Sequence, residues 1–79
     1  MALTTFWLVF QTTNVTEVFI QPAYSLIEAR MKAALAGQRG EMKESHALHG
    51  KTAKKVPATA IGRTLSAAQA KKLLARMGK

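Results

Sequence analysis

The chain of 79 residues contains no cysteine and no aspartate, and only five of its residues are aromatic. Without cysteine, neither a disulfide nor a thiolate metal site can stabilise the fold. A domain of this size buries only about 60% of the surface that its unfolded chain exposes, so its core is thin. Oligomerisation or docking on a partner is therefore one way for the chain to complete its core.

The sequence also lacks a long apolar run. The stretch from Phe6 to Phe10 is too short for the apolar region of a signal peptide, and no cationic region precedes it. A transmembrane helix needs about 20 mostly apolar residues, whereas polar residues recur from Gln11 onward. We therefore predict no membrane partner and a cytoplasmic location.

Each end of the chain lacks charge of one sign. Residues 1–29 contain no lysine or arginine, and residues 45–79 contain no acidic residue. The formal net charge of +8 is large for so short a chain. It favours association with nucleic acid, an anionic membrane or an acidic protein surface, and it does not indicate a fold.

Three segments have the composition of β-strands. In the first, residues 4–12, alternation puts Phe6, Leu8 and Phe10 on one face and Trp7, Val9 and Gln11 on the other. Because both faces are mostly apolar, we expect this strand to be central or covered. The second covers residues 16–21, and we expect Pro22 to end it. The third, residues 41–49, is predicted to be an edge strand with Met42, Glu44, His46 and Leu48 on one side.

Two segments begin with a capping box, Ser25 to Glu28 and Ser66 to Gln69. The first predicts a helix over residues 26–36, and the second predicts a helix over residues 67–77. In the first helix, Ile27, Met31, Ala34 and Leu35 form one stripe, and Ala29, Ala33 and Ala36 form a small-residue flank that can approach a sheet closely. In the second, Ala70, Leu73, Leu74 and Met77 form the apolar stripe. Between the helices we expect a mobile loop over residues 50–55 and a short helix over residues 57–61.

The predicted fold class is α+β: a small ββαβ-type domain, in which one helix packs on an antiparallel sheet, followed by a short helix and a C-terminal helix. Residues 1–49 form the scaffold of hairpin, helix and third strand. Residues 50–79 form a basic loop and the C-terminal helical segment of the same compact domain.

Few residues suit catalysis or metal binding. The chain has four glutamates and two histidines, and general acid–base chemistry needs such groups together in a pocket. His46 and His49 are three residues apart, which on a strand places them on opposite faces, and a zinc site needs further ligands. We predict no enzyme, no catalytic residue, no metal and no cofactor.

The basic residues of the second half are the candidate site. They are Lys51, Lys54, Lys55, Arg63, Lys71, Lys72, Arg76 and Lys79. A surface that only keeps a protein soluble usually mixes both signs of charge, whereas a purely cationic one can follow a phosphate backbone. Residues 58–74 also resemble the parts of a helix-turn-helix, but only Gln69 of the second helix's first turn can read a base.

The sequence therefore predicts a small, non-catalytic basic protein that docks on nucleic acid or a nucleoprotein complex through its cationic C-terminal half. The alternative is a protein-interaction inhibitor or adaptor, possible also as a homodimer, that occludes an acidic or nucleoprotein surface. In size and general architecture the chain is similar to phage- or plasmid-type accessory proteins, anti-CRISPR proteins included. No diagnostic motif distinguishes these two functions.

Overall fold

The computed structural model describes residues 3–77, which form four β-strands and three α-helices. The elements are β1 (Thr4–Gln11), β2 (Thr16–Ala23), α1 (Leu26–Leu35), β3 (Glu41–Leu48), α2 (Gly50–Lys54), β4 (Thr64–Ser66) and α3 (Ala67–Met77), with a 3-10 turn at Ala58–Ala60. The strands form one antiparallel sheet in the order β3-β1-β2-β4. The predicted α+β class, with a helix packed on an antiparallel sheet, is confirmed.

The hairpin of β1 and β2 is the centre of the sheet. β1 lies between β2 and β3, and its alternation divides the core into two clusters, one on each face. Leu8 and Phe10 pack on the side of α1, whereas Trp7 packs on the opposite side with Val18 and Ile20. The expectation that β1 is central or covered is therefore confirmed, since it is both.

Two details of the strands differ from the prediction. β2 continues through Pro22, which pairs with Thr5. Proline is tolerated there because β4 pairs only with residues 17–19, so β2 has a single neighbouring strand at this point. β3 contains a bulge at Lys43, since consecutive β1 residues pair with Glu44 and then Met42. The bulge separates Met42 from the side that Glu44, His46 and Leu48 share, and Met42 packs against the α1 cluster instead.

Helix α1 contacts the sheet through its small residues. Ala29 and Ala33 are fully buried against Leu8, Phe10 and Phe19. The large phenyl rings already fill the space above the sheet, so the helix approaches closely only where its side chains are short. The stripe of Ile27, Met31 and Leu35 consequently faces solvent.

The opposite face of the sheet is covered by the second half of the chain. Val56, Ala60, Ala70, Leu73 and Met77 pack on Trp7, Val18 and Ile20. Residues 50–54, predicted as a loop, form the five-residue helix α2. The short helix predicted at residues 57–61 is a 3-10 turn, and the sequence did not predict β4, whose three residues pair with β2. Leu74, expected in the apolar stripe of α3, is 49% exposed.

Candidate polyanion-binding surface

Six of the candidate basic residues lie in α2, directly after α2 or in α3. These elements cover the side of the sheet opposite α1. We call this group the cationic surface, and it consists of Lys51, Lys54, Lys55, Lys71, Lys72 and Arg76, all exposed. Lys79, the remaining candidate at the C-terminus, lies outside the described residues.

Helix α3 holds three of these cations in a fixed orientation. Its inner side is buried through Ala70, Leu73 and Met77, so the lysines at 71 and 72 and the arginine at 76 face outward. Lys72 and Arg76 are four residues apart, which corresponds to about 6 Å along the helix axis. Their spacing is therefore set by the helix rather than by a loop.

The start of α3 is fixed by the predicted capping box. The Gln69 N–H donates to Ser66 Oγ over 3.2 Å, and the Ser66 N–H donates to Gln69 Oε1 over 3.0 Å. Both bonds satisfy backbone donors at the helix N-terminus. The Gln69 side chain is thereby engaged within the protein, which disfavours its use in reading a base and weakens the helix-turn-helix interpretation.

A lysine joins α2 to the C-terminal end of α3. Lys55 Nζ donates to the Met77 carbonyl oxygen over 3.4 Å, and the adjacent Val56 is buried in the same cluster as Leu73 and Met77. A cation at a helix C-terminus also interacts favourably with the helix dipole. The contact brings the basic end of α2 next to the last turn of α3, where Arg76 lies.

Arg63 does not belong to this group. It follows Gly62, whose backbone has a φ of +76° and whose N–H donates to the Ile20 carbonyl over 2.8 Å. Arg63 is exposed and precedes β4, on the N-terminal side of α3. Lys55 lies at the other end of that helix, which is about 16 Å long. The structure thus places six of the eight predicted residues on α2, on α3 or directly after α2, with Lys55 beside the last turn of α3 and Arg63 before its first turn.

The carboxylates of the protein lie elsewhere. Glu28 pairs with Lys32 at 3.5 Å, Glu41 with Lys43 at 3.1 Å, and Glu44 with His46 at 3.4 Å. Glu17 Oε1 accepts a bond from Gln38 Nε2 over 3.4 Å. These carboxylates and the residues that they contact lie in β2, in α1, in β3 and in the loop between α1 and β3. Within residues 3–77, no carboxylate pairs with the lysines at 51, 54, 71 and 72 or with Arg76.

The described part of the chain offers little for catalysis or metal binding. Across residues 3–77, no three side chains among His, Cys, Asp and Glu lie close enough together to hold a metal ion. In the same range, no charged side chain is buried. His46 contacts Glu44, and His49 is the N-cap residue of α2. The absence of enzymatic activity stays a prediction.

Comparisons with known proteins do not identify a family. No protein-family model matches the chain, and neither the curated proteins nor the solved structures compared with it give a match. None of the helices between residues 3 and 77 has the length and apolar composition needed to cross a membrane.

Proposed function

We propose that this protein is a small, non-catalytic binding protein that contacts nucleic acid, or a complex containing nucleic acid, through the cationic surface. One observation supports this most directly: six cations lie on one side of the sheet, and the carboxylates of the described chain pair with residues of other elements. The cytoplasmic location predicted from the sequence is part of the same proposal.

The chemistry of these side chains favours contact with phosphates over reading of bases. Lysine and arginine release condensed counterions when they neutralise phosphates, and this gain does not depend on base sequence. The first turn of α3 adds only alanines and Gln69, whose Oε1 already accepts from the Ser66 N–H, so this turn offers few groups for reading a base edge. We therefore expect binding with little sequence preference.

The salt dependence of binding tests the proposal. If all six cations contact duplex phosphates, the logarithm of the association constant falls with the logarithm of salt concentration with a slope of about −5. Nuclease-treated protein is titrated into fluorescently labelled duplex and single-stranded oligonucleotides of several sequences. Anisotropy is measured at about 50 mM and about 200 mM salt, between which the affinity should differ by roughly 10³-fold. Absence of binding at the lower salt, or binding insensitive to salt, contradicts the proposal.

A second candidate is the protein-interaction inhibitor or adaptor. It is favoured by the outer side of α1, which exposes Ile27, Met31 and Leu35 to solvent, because exposed apolar patches often mark protein contacts. The two functions differ in a simple observation. Nucleic-acid binding predicts a mobility shift by the isolated protein, whereas the interaction function predicts no shift and nuclease-resistant co-purification with a protein complex.

A further inference from the structure

Helix α1 is apolar on both of its sides. Its inner side is buried through Ala29 and Ala33, while on its outer side Ile27 is 71% exposed, Met31 61% and Leu35 86%. A contiguous stripe of large apolar side chains that is left exposed on a helix often marks a protein contact. The outer side, which we call the apolar face and define as Ile27, Met31, Ala34 and Leu35, therefore has the composition of a covered surface.

The apolar face also has an uneven shape, with exposed side chains beside a hollow. A shallow hollow of about 280 Å³ is lined by Ile27, Arg30, Met31 and Ala34. It adjoins an open groove of about 440 Å³ between α1 and β3, because Arg30 and Ala34 line both. Phe10 and Met42 contribute apolar surface to the groove. Protruding side chains and a receiving hollow thus lie side by side on one surface, as a two-fold symmetric contact requires.

We propose that the apolar face binds the same face of a second copy of this chain, forming a homodimer. The distribution of charge favours a second copy on this side of the molecule. Glu28 and Lys32 compensate each other at 3.5 Å, whereas Arg30 has no carboxylate within ion-pair distance among residues 3–77, so a carboxylate of a second copy can compensate it. The cationic surface lies on the other side of the sheet, where a second copy would be repelled.

The borders of the apolar face are complementary to each other. At 100° per residue, Glu28 and Arg30 flank the face on opposite sides and at nearly the same height along the helix axis. When two copies of α1 pack in parallel around a two-fold axis, the opposite borders meet, so Arg30 of one copy lies opposite Glu28 of the second copy. An antiparallel pair would instead bring the two copies of Arg30 together, so the parallel arrangement is the favoured one.

The size of the surface sets the expected strength of the dimer. Three large, exposed apolar side chains contribute on the order of 400 Å² per copy, which with the groove walls reaches the low end of specific interfaces, about 1,200 Å² in total. We therefore expect micromolar dissociation. Pairing through the edge of β3 is disfavoured, because Glu41, Lys43, Glu44 and the bulge at Lys43 protect that edge.

The dimer is tested without nucleic acid and at about 0.5 M salt, where the Debye length is about 4 Å and phosphate contacts are screened. Failure of the dimer is thereby distinguished from failure of the proposed nucleic-acid binding, which is measured at low salt. Sedimentation equilibrium at chain concentrations up to the order of 100 µM should give twice the 8.6 kDa chain mass. A monomer at every concentration overturns the proposal.

Variants locate the contact. Met31→Glu and Leu35→Ser should each raise the dissociation constant at least about 10-fold, because each removes an apolar side chain from both halves of the interface. Leu74→Ser is the matched control, since Leu74 is a half-exposed apolar residue of α3 on the other side of the sheet. Should Met31→Glu fail to fold by circular dichroism, Leu35→Ser decides alone. If Leu35→Ser weakens the dimer no more than Leu74→Ser does, the apolar face is not the interface.

Discussion

The orientation of α1 leads to a sharp prediction for two adjacent alanines. Ala33 is fully buried against the sheet, whereas Ala34 faces solvent. The same substitution, alanine to leucine, should therefore have opposite consequences at neighbouring positions. At Ala33 the added carbons must displace the phenyl rings of Phe10 or Phe19 or lift the helix from the sheet, since these rings already fill the cluster. At Ala34 they extend into the open hollow and groove that Ala34 lines, where no buried side chain has to move.

The expected difference is large enough to measure. Overpacking a well-filled core costs about 1–3 kcal/mol, whereas an exposed substitution changes stability by less than about 0.5 kcal/mol. For a domain of this size, each kcal/mol lowers the melting temperature by roughly 4–8 °C. Ala33→Leu should therefore melt several degrees below Ala34→Leu, which should melt close to the unaltered chain.

The assay uses the single tryptophan. Trp7 is 3% exposed in the cluster on the opposite face of the sheet, so its fluorescence reports global unfolding in urea. The titration is performed at a chain concentration well below the dissociation constant of the proposed dimer, so that the dimer is dissociated and Ala34 stays exposed. Equal stability of the two variants, or a loss confined to Ala34→Leu, would refute the orientation of α1 described above.

Three further substitutions are tested by the same urea titration. Ser66→Ala should cost about 1 kcal/mol, because it removes the side-chain acceptor that caps α3; an unchanged midpoint would mean that the capping box does not hold the helix start. Gly40→Ala should be destabilising, because at a φ of +99° a Cβ would lie 2.9 Å from the backbone carbon and oxygen of Gln11. Gly37→Ala is its control, since at a φ of +89° its Cβ would meet nothing within 4 Å and only backbone strain of about 1–2 kcal/mol remains. A smaller loss of stability for Gly40→Ala than for Gly37→Ala would contradict the close approach to Gln11.

The elements that the sequence predicted well have strong local signals. Alternation in β1 identified both of its faces, and the capping box at Ser66 located the start of α3, because these patterns depend on neighbours along the chain. At the start of α1 the bonding differs slightly, since Glu28 Oε1 accepts from the Tyr24 N–H rather than from Ser25. The capping box at Ser25 nevertheless predicted the start of α1 correctly, since Ser25 is the N-cap residue and its Oγ accepts from the Glu28 N–H.

The missed features depend on tertiary packing. Helical spacing indicated that the small residues of α1 can approach a sheet closely, as Ala29 and Ala33 do, but it did not indicate that the large residues of the other stripe would stay exposed. Helix α2 has only five residues, and the burial of Val56 and the Lys55 contact to α3 hold its C-terminal end in place. β4 has three residues and is defined by pairing with β2. Neither short element has a pattern long enough to be recognised.

The candidate site was predictable in its residue types and not in its grouping. The absence of acidic residues after position 44 indicated the cations, whereas the placement of Lys55 and Arg63 at opposite ends of α3 follows from the contact between the end of α2 and the last turn of α3. The apolar face of α1 did have a signal in the sequence. Large residues at Ile27, Met31 and Leu35, with buried alanines on the opposite side, give α1 two apolar sides, of which one helix-on-sheet contact can cover only one.

The most direct test of the cationic surface compares two triple variants that lower the net charge equally. One neutralises the outward cations of α3 with Lys71→Gln, Lys72→Gln and Arg76→Gln, and the other neutralises cations of α1, β3 and the loop between them with Lys32→Gln, Arg39→Gln and Lys43→Gln. Affinity for a labelled duplex is measured as a function of salt for both. The first variant should bind at least about 10-fold more weakly, and its salt slope should become shallower by up to about 3, because each duplex phosphate that a cation neutralises adds about 0.9 to the slope. The second should bind like the unaltered protein. Equal weakening in the two variants would show that net charge alone drives binding and would contradict a specific surface on α2 and α3.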